Sequence, residues 1–386
     1  MTIYSSLNKI VFSPSKNHPE LAIPSSTPET TTSTTRKRLN LTRIIALPEK
    51  KRMAYPGTLH TYTRRLVAFE HAPSTPRPAH SPATNTLLCI GGLSDGLLTN
   101  TYPSKIAAHL PPNWRVAEVL LTSSYGGWAT GNLARDAREL GECVQYFRSL
   151  PSSQPSPISG ESVENGSKRD GKVVLMGCST GCQDALEYVI GGERALRQAV
   201  DGIILQAGVS DREAWIELAP TMPHPSVPGE TMAALLDAAI ATATRLKDEG
   251  RGEDIMPKDV DVVRMVMGDP TTVYRTWSLL AEGGDDDFFS SDAGDDVVRR
   301  VFGGVGKGVR VAVIWGSEDE FVPKGVDKVG TIGRWGRAVA EGGAVFDDEV
   351  SGVVQGASHT LNKDPEPVVM ELISRVVKFV QAVEAS

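Results

Sequence analysis

Ser179 stands between glycines in Gly177-Cys178-Ser179-Thr180-Gly181, with Cys182 one residue further on. Three chemistries fit these residues: a serine nucleophile on a tight turn, a cysteine pair for metal or redox work, or plain packing. The G-x-S-x-G pattern favours the first only if a strand precedes it and a helix follows. Here "KVVLM" reads as a buried strand and "GCQDALEY" opens a helix. The flanking glycines suit a turn too crowded for side chains. The helix that follows aims its first amides at whatever attaches to the serine.

A serine hydroxyl is a weak nucleophile without a base. In a strand–turn–helix arrangement of this kind the partners follow in the order serine, acid, histidine. Only His224 and His359 of the seven histidines lie beyond Ser179. His224 falls in the Pro-rich "TMPHPSVPGE", whereas His359 falls in a loop before the last helix, where the base belongs. The acid is expected after the strand "VAVIWG", where Glu318, Asp319 and Glu320 are consecutive. Asp319 is favoured and Glu318 is the alternative. Acyl transfer also needs donors for a developing oxyanion. The Thr180 amide, directly after the serine, is one candidate. The Leu93 amide, in the glycine-rich "GGLSDGLLT" after the strand "TLLCI", is the other.

Cys178 and Cys182 read as packing, because no second cysteine pair or histidine cluster supplies zinc spacing. Cys182 sits on the first turn of a helix, where a thiol pKa can be lowered. The run around Asp285 to Asp296 lacks EF-hand spacing and reads as a solvated acidic loop, with binding of a cationic substrate group as the sharper alternative.

The elements that must position these residues alternate. Strand patterns at 86–92, 114–124, 172–177, 200–208 and 309–316 interleave with helical ones at 102–110, 132–150, 181–192 and 326–341. Leu133, Ala137, Leu140, Val144 and Phe147 mark one helical face, and Val369, Leu372, Ile373, Val376 and Val380 another. Near-continuous apolar strands alternating with helices imply a mostly parallel, doubly wound sheet. The alternation stops at 209 and resumes at 309, so residues 209–308 read as a helical cap inserted into one α/β domain spanning 46–386. Within that insertion Met232, Leu235, Leu236, Ala239, Ala243 and Leu246 form one stripe. Residues 1–45, rich in serine and threonine, read as a disordered tail, and 151–171 as a low-complexity surface insertion.

The 386 residues carry a formal net charge of -7 and no long basic run, which argues against a nucleic-acid partner. No window approaches the ~20 apolar residues of a membrane helix. Four cysteines are too few for a disulfide framework, and Cys89 and Cys143 fit apolar patterns as buried thiols. No secretory signal pattern opens the chain, and a cytoplasmic location is expected.

Taken together, "IGGLSDGLLT", "SSYGGWATGNLARDARE", "GCSTGCQDALEY", "QAGVSDREAW" and "YRTWSLLAEGGDDDFFSSD" resemble a fungal family of α/β-hydrolases that includes the esterase opening the siderophore fusarinine C and its triacetylated form. The resemblance runs from about residue 56 to the C-terminus. It implies hydrolysis of ester bonds in a hydroxamate siderophore, with Ser179 as nucleophile, Asp319 as acid and His359 as base. It also implies no cofactor or metal, and a small-molecule ester as the partner. "VSDREAW" would border the substrate pocket from the cap side. The chain departs from the family pattern at Cys178 and Gly208 and in its long insertion. A thioesterase, lactonase or acyltransferase would use the same three side chains, and a ligand-binding protein of this fold would not need them.

Overall fold

The computed structural model describes residues 54–74, 83–150, 171–224, 227 and 230–386. The tail expected at 1–45 and nearly all of the insertion expected at 151–171 lie outside these residues. Among them no helix is long and apolar enough to cross a membrane.

Among the described residues nine strands form one sheet. They are β1 (Gly57–Thr61), β2 (Val67–His71), β3 (Asn85–Ile90), β4 (Trp114–Val119), β5 (Val173–Cys178), β6 (Gly202–Gln206), β7 (Arg310–Gly316), β8 (Val345–Phe346) and β9 (Gly352–Val354). Their order is β1-β2-β4-β3-β5-β6-β7-β8, with β9 also on β7. β1 and β2 pair antiparallel, and every pairing from β4 onward among the central strands is parallel. The strands β3 to β6 are buried along their whole length, as expected of a sheet covered on both faces.

One face packs α1 (Tyr102–His109) and α10 (Glu366–Ala385), which bury Ile106, Leu372, Ile373, Val376 and Phe379 against Leu87, Val174 and Ile204. The other face packs α2 (Leu133–Ser149), α3 (Gly181–Ile190), α8 (Asp295–Val301) and α9 (Lys328–Glu341) against Leu88, Leu175, Ile203 and Val313. Alternate residues of each strand thus serve opposite cores.

The strand expected over 114–124 ends at Val119, after which only the Leu120 amide still reaches β2, donating to Val67 O at 3.0 Å. A 3-10 turn follows at Tyr125–Thr130, and it buries Trp128 and Ala129 in a third, separate core. That core is the cap. It contains α4 (Asp211–Leu218), α5 (Ala233–Asp248), α6 (Val262–Met267) and α7 (Val273–Leu280). The inserted segment divides in two: cap packing stops at Leu280, whereas Phe288, Phe289, Val298, Val301, Phe302 and Val305 join the main sheet core. The strand-like stretch after α9 is also split. Val345 and Phe346 pair with the start of β7 and Gly352–Val354 with its end; between them the Asp347 amide still donates to Val311 O at 2.8 Å, and its carboxylate accepts from Arg310.

Candidate active site

Parallel pairing aligns the C-terminal ends of the central strands: Ile90 faces Gly177, Cys178 faces Gln206, and Gln206 faces Ile314. The loops that leave these ends therefore meet at one edge, the usual ligand edge of an open α/β sheet. All six non-glycine residues with positive φ among those described lie on loops of this edge, at Ser94, Leu98, Tyr125, Ser179, Ala207 and Leu361. Left-handed backbone costs a non-glycine residue about 1–2 kcal/mol, so the fold concentrates strain here.

Ser179, at φ 54°, makes the sharp turn from β5 into α3, and its amide donates to Gln206 O at 3.1 Å. A Cβ on Gly177 would fall 2.3 Å from Gly181 O, and one on Gly181 would fall 2.5 Å from Ile90 O. Only glycines let the turn fold this tightly against β3. A Cβ on Gly92 would lie 2.7 Å from Ser179 Cβ, so the 91–95 loop passes directly beside the hydroxyl. Asp95 fixes that loop by accepting from the Gly92 amide and Asn100 Nδ2, both at 3.0 Å. The Leu93 and Thr180 amides donate to no acceptor among the described residues.

The loop after β7 carries the acidic triplet. Glu318 is exposed, whereas Asp319 is buried and receives His359 Nδ1 at 2.9 Å on Oδ1 and 3.0 Å on Oδ2. The Phe321 amide donates to Asp319 Oδ1 at 3.0 Å, which fixes the carboxylate. Glu320 takes a different part, accepting from the His359 amide at 3.1 Å. Lys328 Nζ, on α9, holds the start of this loop through Gly316 O and Ser317 O at 2.7 and 2.8 Å. His359 is 4 % exposed, stacks edge-on with Phe321 at 4.7 Å, and has its carbonyl held by Gln206 Nε2 at 3.0 Å. Burial disfavours its charged form, but the charge and hydrogen bond of Asp319 and the charge of Glu320 outweigh it, so the imidazole lies above its ordinary value. Nε2, without a partner among the described residues, is left for the cavity.

Ser179 and His359 line one cavity, whose walls come from Leu93 and Phe321 below and from Ala214, Trp215, Met222 and Val266 on the cap side. A hydroxyl, an imidazole and the Leu93 loop around a mostly apolar space, with the free Thr180 amide directly after the serine, are parts that acyl transfer uses. Among the described residues no three His, Cys, Asp or Glu side chains gather as metal ligands would. Cys178 and Cys182 are buried thiols, and burial pushes Cys178 up to about 12. Burial also raises Cys182 well above its ordinary value, so desolvation overrides the helix N-terminus that could have lowered it. Its sulfur donates to Gly177 O and Gln206 O.

The acidic segment at Asp285 to Asp296 is solvated only in part: Asp285, Asp292, Asp295 and Asp296 are exposed, whereas Asp286 is buried and Asp287 half-buried. Asp286, 2 % exposed, accepts from Arg275 Nη1 at 2.7 Å and Ser278 Oγ at 2.5 Å; Asp287 and Asp292 pair with Arg212; Asp295 pairs with Arg334. The carboxylates pin cap helices α4 and α7 to the segment that returns to the sheet. Gln206 escaped the sequence reading, although a lone amide in the apolar strand "VDGIILQAG" was the available signal.

The sheet order and the loops that carry these side chains are those of an α/β-hydrolase. A soluble variant of monoglyceride lipase from Saccharomyces cerevisiae shares that fold at 9 % identity and a TM-score of 0.53, with 86 % of this chain and 97 % of the other covered. The chain belongs to the family described as "Protein of unknown function (DUF1749)", whose model matches residues 50–381. It is 33 % identical to "Fusarinine C esterase sidJ" of Aspergillus fumigatus, covering 85 % of this chain and 96 % of the relative. It is 34 % identical to "Esterase AN6793" of Emericella nidulans, covering 89 % and 96 %. The solved structure of "Siderophore hydrolase EstB from Aspergillus fumigatus" matches at 32 % identity and a TM-score of 0.64, covering 87 % of this chain and all of the other.

Proposed function

We propose that this protein is a serine esterase that hydrolyses ester bonds of a fusarinine-type hydroxamate siderophore and so frees its iron inside the cell. Ser179 Oγ attacks the ester carbonyl while His359 Nε2 takes the hydroxyl proton. The Leu93 and Thr180 amides receive the oxyanion. The C–O bond to the alcohol then breaks, and His359 returns its proton to the leaving oxygen. Water, deprotonated by the same imidazole, cleaves the acyl-enzyme and restores Ser179. Asp319 holds Nδ1 protonated, so that Nε2 is the basic nitrogen, and stabilises the imidazolium.

The observation that carries this reading is the convergence of Ser179 and an Asp319-held His359 on one cavity. The substrate class rests on relatives at 32 and 33 % identity that are named for siderophore hydrolysis. The test has two arms. A fluorophosphonate probe should label the wild-type protein and not Ser179→Ala. Ferri- and desferri-fusarinine C and triacetylfusarinine C are then incubated with the protein and followed by mass spectrometry for linear fragments. Full labelling of Ser179→Ala would overturn the nucleophile. Intact siderophores beside cleavage of an aryl ester would overturn the substrate.

A further inference from the structure

Behind the loop that carries the Leu93 amide is a second cavity, of about 20 Å³. Gly92, Leu93 and Asp95 line both this space and the cavity of Ser179, so their loop is the wall between the two. Thr180, directly after the nucleophile, lines the rear cavity as well. Unlike the substrate side, the rear side is polar: Trp128, Asp136, Asp184 and Arg275 line it, and all four are buried. Asp136 has a partner in Ser123 Oγ, at 2.6 and 2.7 Å. The other three are under-partnered. Trp128 Nε1 and Arg275 Nε are fully buried and meet no acceptor among the described residues. Arg275 reaches Asp286 through Nη1 alone. The Asp184 carboxyl accepts no hydrogen bond among the described residues. Two donors without an acceptor thus border the same space as an acceptor without a donor. Buried polar groups of this kind are satisfied by protein or by ordered water. One water needs about 10–15 Å³, so the space admits a water and little more.

We propose that a buried water held by Trp128 Nε1, Arg275 Nε and the Asp184 carboxyl backs the oxyanion loop, and that these three are positioning residues for the Leu93 and Thr180 amides. This rests on the esterase reading of Ser179. A water offers two lone pairs to the two N–H groups and a hydrogen to the carboxyl oxygen. Burial, with Asp136 and Asp286 nearby, raises Asp184 well above its ordinary value against the charge of Arg275. A carboxyl group in either protonation state keeps an oxygen that accepts, so the site does not depend on ionisation. The water joins three elements at the back of the oxyanion hole. Trp128 comes from the turn after β4 that packs into the cap core, and Arg275 from cap helix α7. Asp184 lies on the first turn of α3, where its amide donates to Thr180 O at 3.3 Å. The cap thereby fixes donors that belong to the sheet.

The test has a structural and a kinetic arm. A crystal structure of the full chain, at a resolution that shows ordered water, should place a water within about 3.2 Å of both Trp128 Nε1 and Arg275 Nε. No density there would overturn the site. Trp128→Phe removes the N–H and keeps an aromatic ring in the core. On an aryl ester its kcat should fall about tenfold with KM within about twofold, short of the about 10²–10³ lost when an oxyanion donor is removed outright. Affinity for trifluoroacetophenone, whose hemiketal with Ser179 carries an oxyanion, should fall by the same factor. Asp184→Leu removes the acceptor and should repeat both losses, and Asp184→Asn, which keeps an accepting oxygen, should lose less. Unchanged kcat and ketone affinity in folded Trp128→Phe and Asp184→Leu, or a loss confined to KM or to melting temperature, would overturn the positioning role and leave the esterase reading standing. Failure of wild type to cleave any ester would overturn the esterase reading and the positioning role with it, while the crystallographic arm still decides the water site.

Discussion

Replacing Asp319 by Asn keeps the shape of the acid and removes its charge. Both carboxylate oxygens lie within 3.0 Å of His359 Nδ1, so the substitution sets an amide N–H or a neutral carbonyl against the ring nitrogen. Charge centres about 4 Å apart in a medium of effective dielectric about 20 attract by about 4 kcal/mol. At 1.36 kcal/mol for each tenfold, this is about 10³ in the step that creates imidazolium. Loss of the favoured tautomer adds to it, since the same change in a serine protease triad costs about 10⁴. The pH profile carries a second signature. The base works when unprotonated, and Asp319 and Glu320 hold His359 above its ordinary value against the effect of burial. The acid limb of wild-type kcat/KM therefore lies above about 6.5. In Asp319→Asn burial acts with only the smaller Glu320 contribution opposing it, the imidazole pKa falls, and the limb moves to lower pH. The assay is aryl-ester hydrolysis from pH 5 to 9. An unmoved limb, or a loss below about tenfold, would refute the pairing as the source of basicity.

Glu318 is the exposed neighbour of Asp319, so Glu318→Gln should leave kcat/KM within about twofold at pH 8 in the same assay. Gly92→Ala would drive a Cβ to 2.7 Å from Ser179 Cβ and 3.0 Å from Cys178 O, displacing the loop that carries the Leu93 amide. A shift of this size is expected to cut kcat by about 10²-fold, read against a folded far-UV spectrum. Arg275→Ala strands Asp286, buried at 2 %, and should cost about 3–5 kcal/mol in urea unfolding. A cost below about 1 kcal/mol would show that Ser278 alone satisfies that carboxylate.

Much of the site was legible because its parts are local or ordered along the chain. A glycine-boxed serine between a strand and a helix fixes a tight turn wherever the sheet forms. The single histidine in a loop before the last helix, and the acidic triplet after an apolar strand, follow from chain order. What failed were readings that depended on partners far away in sequence. The acidic run at 285–296 looks hydrated throughout in isolation, yet Arg275 and Arg212, 11 and 75 residues earlier, draw Asp286 and Asp287 inward. Cys182 read as packing, and complete burial raises its thiol, so only the lesser possibility of activation by its helix falls away.

The amino-acid order by itself determined the alternation of strands and helices, since periodicity is a property of neighbours within a few residues. It also determined which residues leave the strand ends. The sequence reading favoured Asp319 with Glu318 as the alternative, and the tertiary structure shows what each carboxylate of the triplet meets. Three adjacent carboxylates share nearly the same sequence context, and only the depth of each beneath the 355–361 loop separates the one that meets the imidazole, Asp319, from the one that takes a backbone amide, Glu320.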